Sequence, residues 1–362
     1  MIFSEHSYIL TEEGFRSLTN LFTYSYEDCP AIGYINEKGH LAFTKDYKII
    51  REKPSKCLQY SDEAFLAFIC DDKATFYINS DFKEVSVLNI DCDKNNLKNF
   101  KLTHDCFYDI DVDDIKTEFK LNDNTVINTT YVGLIKLFIL YLCFGPNENI
   151  SNKDNIRLYT RSLRDSKILS HILSDILGKG NFLIFKGDNG KTTFYINSAY
   201  LKNHFIDNPD KLMSNFLNSK TINNSSYLVS YAMQSIADEF NYYDINFPEA
   251  KVLFGNNFDK SIIYLSACLS VCGFKFYCQR QRSGRYKMMF YKSDTHRFIS
   301  KVISSDNTRG DYYFRILTKD SCPIYVLEER KYIYNTHIIP TTSYRDTELD
   351  KKESSLTLKG LI

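Results

Sequence analysis

The side chains best suited to recognition chemistry lie in "YCQRQRSGRYKMMFYK", where Arg280, Arg282, Arg285 and Lys287 alternate with aromatic and amide residues. Two β-prone runs around a Gly-containing turn predict a hairpin. Residues two apart on a strand share a face, which would put Arg280 beside Arg282. A ribbon carrying such cations suits an anionic partner, and the plain alternative is a solvated basic surface. The wider charge pattern points the same way. The formal net charge is zero, yet residues 60–125 hold 15 Asp/Glu against 7 Lys/Arg, and residues 274–315 hold 10 Lys/Arg against 3 Asp.

Other candidate chemistries fall away on spacing. "GDNGKTT" resembles a phosphate-binding loop, but Phe185 stands where that loop needs its first glycine, and the context is a hairpin. The ten cysteines include no C-x-x-C pair, and Cys268, Cys272 and Cys278 read as core rather than as zinc ligands. "YDIDVDDI" lacks the glycine and terminal Glu of a calcium loop, and reads as a connector. The most apolar stretch, "YVGLIKLFILYLCFG" (Tyr131–Gly145), contains Lys136 and falls short of the roughly 20 residues a membrane span requires. "MIFSEHSYIL" lacks the apolar core of a signal peptide. The expectation is an intracellular protein with reduced cysteines and no membrane partner.

The elements that must position the cations emerge when the sequence is slid against itself by 94 residues. "DSKILSHILSDILGKGNFLIF" then falls on "DKSIIYLSACLSVCGFKFYCQ", with Asp165 on Asp259, Ile168 on Ile262 and Leu177 on Val271. Each segment predicts a helix behind an Asp suited to capping. The same offset sets "NFLIFKGDNGKTTFYIN" on the Arg-rich hairpin, Gly190 on Gly284 and Lys191 on Arg285. "SAYLKNHF" and "SDTHRFISKVI" follow as further helices. Upstream, Tyr131–Gly145 meets "SSYLVSYAMQSIADE", a second apolar helix. Each repeat therefore reads helix, two strands, helix, two strands, helix, with the leading helices packed at a pseudo-twofold axis.

In this arrangement the chain resembles the LAGLIDADG (DOD-type) homing endonucleases over roughly residues 128–305. The resemblance implies that the leading helices form the interface and that two sheets make a saddle on double-stranded DNA. It also implies an acid at each helix end, holding divalent metal for phosphodiester hydrolysis. In the first repeat "LFILYLCFG" occupies the motif, so Phe144 stands at the acid position before Gly145. In the second the shared offset brings Asp238 there, as the residual candidate for catalysis and for metal; a frame ending at Ser235 and Ile236 leaves no acid. Glu148 has the wrong spacing to substitute. Magnesium would be the cofactor if cleavage is retained. DNA-contacting candidates are Arg280, Arg282, Arg285 and Lys287, with Lys186, Lys191, Arg157 and Arg161 in the first repeat and Arg164 nearby.

The flanks are similar to intein blocks: "SYILTEEGFRSLTNLF" to the first, "AFICDDKATFYINSDF" to the Thr-x-x-His block, and "IYVLEERKYIYNTHII" to the C-terminal strand pair. The resemblance implies one Hint-like β domain built from both ends of the chain. Splicing needs a nucleophile, a block His and a terminal Asn. Ile2 holds the first position with Ser4 and Ser7 out of register, the His is replaced around Asp81, and Ile338 and Ile339 follow His337.

The expectation is an α+β chain: a pseudosymmetric αββαββα centre inserted in a split β-rich Hint-like domain. Its parts would be residues 1–125, repeat one at 126–215, repeat two at 216–305, the returning Hint-like part at 306–340, and a flexible tail at 341–362. Such a protein would bind double-stranded DNA sequence-specifically, as a monomer by internal pseudosymmetry, with splicing lost and cleavage lost or weak. The Hint-like part could take a protein partner in a regulatory or recruiting role, and a viral or phage origin fits the chain. An active magnesium-dependent endonuclease and a protein-interaction scaffold are the competing readings.

Overall fold

The structure is a computed structural model that describes residues 2–5, 7–23, 28–36, 41–54, 56–62, 66–70, 75–77, 84–86, 115–146, 155–216, 222–240, 243–244, 247–254, 261–272, 274–282, 284–292, 299–306, 312–320, 322–330 and 333–343. Its first elements are β1 (Ile2–Phe3), β2 (Ser7–Thr11), β3 (Gly14–Ser17), α1 (Leu18–Thr23), β4 (Ile32–Ile35), β5 (Leu41–Thr44), β6 (Tyr47–Glu52), β7 (Lys56–Asp62), β8 (Leu66–Cys70), β9 (Thr75–Tyr77) and β10 (Glu84–Ser86). The centre holds β11 (Lys116–Lys120), β12 (Val126–Thr130), α2 (Tyr131–Phe144), β13 (Ile156–Thr160), α3 (Leu163–Leu177), β14 (Leu183–Lys186), β15 (Thr192–Ile196), α4 (Ala199–Lys202) and α5 (Pro209–Phe216). It continues through α6 (Ile222–Glu239), β16 (Tyr243–Asp244), β17 (Phe247–Phe254), α7 (Ile262–Val271), β18 (Phe274–Arg280) and β19 (Tyr286–Lys292). The chain returns with β20 (Ile299–Asp306), β21 (Tyr313–Thr318), β22 (Pro323–Arg330), β23 (Ile333–Pro340) and β24 (Thr342–Ser343). This mixture of helices and antiparallel sheets is an α+β architecture.

Two compact units divide the chain: Met1–His104 with Lys292–Ile362, and Asp105–Tyr291. The first draws on both ends. β22 runs antiparallel to β2, with Tyr8 opposite Leu327 and Ile9 opposite Val326, as anticipated for the flanking segments. β21 pairs with β1 and β6, and Arg315 binds Glu52 through two 2.9 Å hydrogen bonds beside that seam. Ile9, Leu10, Ile324 and Val326 are fully buried there.

Two expectations fail in this unit. "SDTHRFISKVI" was to supply a helix, but Ile299–Asp306 is a strand antiparallel to β7. Its apolar residues have helical spacing, yet they are β-branched, and pairing with another strand overrides the local pattern. The polar run from Thr341 is not loose at its start. Thr341 N–H donates to Cys322 O, Ser343 Oγ donates to Lys319 O (2.8 Å), and β24 pairs in parallel with β21. The acidic connector around Asp109, and Glu148, lie outside the described residues.

The second unit carries the repeat. Thr130 caps α2 by accepting from Gly133 N–H (2.9 Å). Every α2 residue except Tyr131 and Lys136 is buried, as a helix apolar on all sides must be. α2 packs against α6, as the offset predicts. At the end of α2, Gly145 N–H donates to Tyr141 O (2.7 Å), and a side chain at 145 would run into that same oxygen. No helix among the described residues is long and apolar enough to cross a membrane. α3 begins one turn earlier than its expected cap: Ser162 Oγ accepts from Asp165 N–H (3.1 Å), and Asp165 lies in the first turn.

The sheets repeat in register. β15 lies between β13 and β14, and β19 lies between β17 and β18, with β16 beyond β17. Thr160 faces Thr192 in one and Phe254 faces Tyr286 in the other, each position shifted by 94. The turns match bond for bond. Gly187 N–H donates to Lys191 O (2.8 Å) and Gln281 N–H to Arg285 O (2.7 Å); Gly190 donates to Gly187 O and Gly284 to Gln281 O. Gly190 and Gly284 have φ of 73° and 80°, a left-handed conformation that a Cβ disfavours. No atom lies within 4 Å of a Cβ built at Gly190, so only backbone preference opposes substitution there. Gly190→Ala is expected to lower the unfolding free energy by about 1 kcal/mol, and Gly190→Asn by less, as measured by urea denaturation.

Candidate nucleic-acid interface

The carboxyl ends of α2 and α6 are where the resemblance implies paired acids. Phe144 is 7% exposed and its ring stacks on Phe240, centroids 5.3 Å apart and planes at 29°. Asp238 is exposed, next to the last residue of α6. Two guanidinium groups close the helix ends. Arg285 Nη2 donates to Cys143 O (3.4 Å), in the last turn of α2, and Arg164 Nη2 donates to Phe240 O (2.9 Å), just past α6. Helix carboxyl ends carry partial negative charge, so cations are favoured there. Each Arg comes from the opposite repeat to the helix it caps.

A divalent cation fits this arrangement poorly. Phe144 offers no lone pair, Asp238 is turned to solvent, and the guanidinium groups would repel a second cation. Among the described residues no three His, Cys, Asp or Glu side chains are grouped to hold a metal. Cys268, Cys272 and Cys278 are buried, and burial pushes the Cys268 thiol up to about 12, far from the thiolate that zinc needs.

The hairpin cations take different places. Arg280 ends β18 and is exposed, 5.9 Å from the Tyr286 ring centroid. Arg282 lies in the turn, so the strand alternation expected to align it with Arg280 does not reach it. It is exposed. Arg285 is half-buried through its bond to α2, which gives it a structural role the sequence did not suggest. Lys287, half-buried on β19, faces Leu253 across the pair. In repeat one, Lys186 is exposed at the end of β14 and Lys191 sits over the Tyr159 ring at 3.9 Å. Arg161 is exposed in the bend before α3.

Arg157 belongs to a more developed arrangement. Ile156, Leu158, Phe194 and Ile196 point inward, so Arg157, Tyr159 and Tyr195 stand on the opposite face of the sheet. Arg157 pairs with Tyr195, and Tyr195 with Leu183, forming one row across three strands. The Arg157 guanidinium lies 5.3 Å from the Tyr195 ring centroid, and Phe185 meets that ring edge-on at 5.1 Å. Alternating sheet faces make the outward Arg and Tyr legible from sequence; their stacking required the register.

No family model matches the chain, and no curated protein matches it. Among solved structures, the chain is similar to I-DmoI in complex with DNA and manganese, at 13% identity and a TM-score of 0.27 over 44% of this chain and 90% of that one. A structure of mesophilic variants of the homing endonuclease I-DmoI gives 14% identity and 0.26 over 44% and 89%. Overlap at such scores carries no argument about the chemistry of this chain.

The packed Phe pair makes an acid at position 144 costly to introduce. Phe144→Ala should destabilise the protein by about 3 kcal/mol by leaving a cavity. Phe144→Asp should cost at least as much near neutral pH, because a buried carboxylate would replace the ring. Its penalty should shrink as pH falls and the carboxyl takes up a proton. Urea melts at pH 7 and pH 4.5 measure both effects.

Proposed function

We propose that the Asp105–Tyr291 unit binds double-stranded DNA and derives from a homing endonuclease whose cleavage centre is closed. The observation that carries this reading is the duplicated strand order: two hairpins in one register, related by 94 residues, each with cations at or beside its turn. Basic ribbons of this form suit the phosphate backbone and the major groove, where Arg pairs with guanine edges and Gln with adenine.

The interface helices support loss of cleavage. In-line phosphodiester hydrolysis assisted by metal needs carboxylates that position the ion. Phe144 stacked on Phe240, with Arg285 and Arg164 at the helix ends, gives packing and charge neutralisation instead. The other unit, built from both chain ends, supports a split β domain of Hint type as the partner-binding or recruiting part. This reading treats the protein as a monomer whose two repeats replace two subunits.

Mobility-shift selection from random duplexes, with and without magnesium, tests the proposal. Selective binding without cutting is expected. Arg280→Ala with Arg282→Ala should weaken binding and reduce the slope of log affinity against log salt by about 2, as two phosphate contacts are lost. Asp238→Ala should leave affinity unchanged. Arg285→Ala is expected to lower stability as well as affinity, since its guanidinium also caps α2. Robust magnesium-dependent double-strand cleavage would overturn the closed-site reading, and failure to select any duplex would overturn DNA binding.

A further inference from the structure

The face of the repeat-one sheet has features a duplex does not use. Three successive residues of β14, Leu183, Ile184 and Phe185, are 59%, 45% and 55% exposed. The strand lies at one side of its sheet, beyond β15. A cleft of about 630 Å³ opens over Leu183, Phe185 and Tyr195 and runs toward Asp123, Asn181 and Asn197. Such a volume suits one nucleotide or a similar small planar group.

The polar groups around the cleft are fixed and have capacity to spare. Arg157 Nε donates to Asn155 Oδ1 (3.1 Å) while the guanidinium rests on Tyr195. Its two terminal nitrogens make no hydrogen bond or ion pair with any described residue. Asn181 Nδ2 donates to Leu177 O (2.7 Å), leaving its carbonyl oxygen, and Asn197 Oδ1 accepts from Asn122 Nδ2 (2.7 Å), leaving its amino group. Asp123 accepts from Thr125 N–H (2.9 Å), which holds its carboxyl below the usual range and keeps it an acceptor. The second repeat lacks the equivalent arrangement: Met289, buried, stands at the position of Tyr195.

We propose that this cleft binds one unpaired nucleotide of a DNA strand, with its phosphate on the Arg157 fork and its base against Tyr195 and Phe185. The inference rests on the DNA-binding reading and names a subsite within it. Arg at a fixed fork matches phosphate. Aromatic faces stack on bases only where the bases are unstacked, because a duplex presents edges and phosphates. Asp123 would repel a phosphate, so it and the two Asn side chains suit the donors and acceptors of a base edge. An overhang, a bulge or an extruded base at the duplex end supplies this ligand.

The test compares a blunt duplex with the same duplex carrying a four-nucleotide single-stranded overhang that contains 2-aminopurine. The overhang should raise affinity roughly tenfold, and the probe's fluorescence should be quenched by stacking. Tyr195→Ala and Phe185→Ala should each reduce the preference while leaving blunt-duplex affinity within about twofold, whereas Arg157→Ala should reduce the preference and weaken blunt-duplex binding as well. Arg157→Lys should recover little, since it lacks the fork. Equal binding of blunt and overhung duplexes would overturn the subsite and leave duplex binding intact. Binding of oligothymidylate through Tyr195 without any duplex binding would uphold the subsite and overturn the duplex reading. No binding of either would overturn both. If Phe185→Ser abolished a dimer seen by sedimentation and left the overhang preference unchanged, β14 would be assigned to a second copy and the subsite overturned.

Discussion

The pairing of α2 with α6 is the constraint on which the central unit depends. α2 is buried on almost every side, so it has no solvent face and must be surrounded by its own unit. The contact ends with Phe144 on Phe240, and two Arg residues crossing between repeats satisfy carbonyl groups at the helix ends. Because α3 and α7 pack on this pair, the two sheets inherit its pseudosymmetry. Their shared register follows from the shared framework rather than from like residues. Thr160 opposite Thr192 and Phe254 opposite Tyr286 occupy the same place with different chemistry.

Closing the helix ends with rings and guanidinium groups changes what the unit can do. An acidic pair between helix carboxyl ends is electrostatically unfavourable until a cation arrives, which is why such a place binds metal. Stacked Phe rings carry no charge, and Arg supplies the positive charge that helix dipoles favour. The result is an interface stabilised without an ion. The outer faces of the two sheets differ in what they carry. One carries aromatic residues around Arg157, and the other buries Met289 at the matching position.

The first unit shows a different economy. Strands from both ends of the chain interleave, so β1 and β2 are completed by β21 and β22. Closing so long an intervening loop costs entropy that grows only with the logarithm of its length. The cost is offset by burial of residues such as Ile9, Leu10 and Val326, each of which contributes about 1.5–3 kcal/mol when removed from water.

Much of this was legible in the sequence. The 94-residue offset predicted two central helices, two hairpins and their glycine turns, because periodicity and positive-φ glycines are local properties. The absence of an acid at Phe144 was legible as well, since residue identity alone decides whether a lone pair exists. Three things required the fold. Ile299–Asp306 became a strand because a partner in β7 outweighed helical spacing. Arg285 became a helix cap because α2 ends beside it, 142 positions away in sequence. Arg157, Tyr195 and Phe185 became one surface only when three strands came into register. Sequence determines what each side chain can do; the long-range pairings that decide which side chains meet depend on the free energy of the whole chain, and no local window contains it.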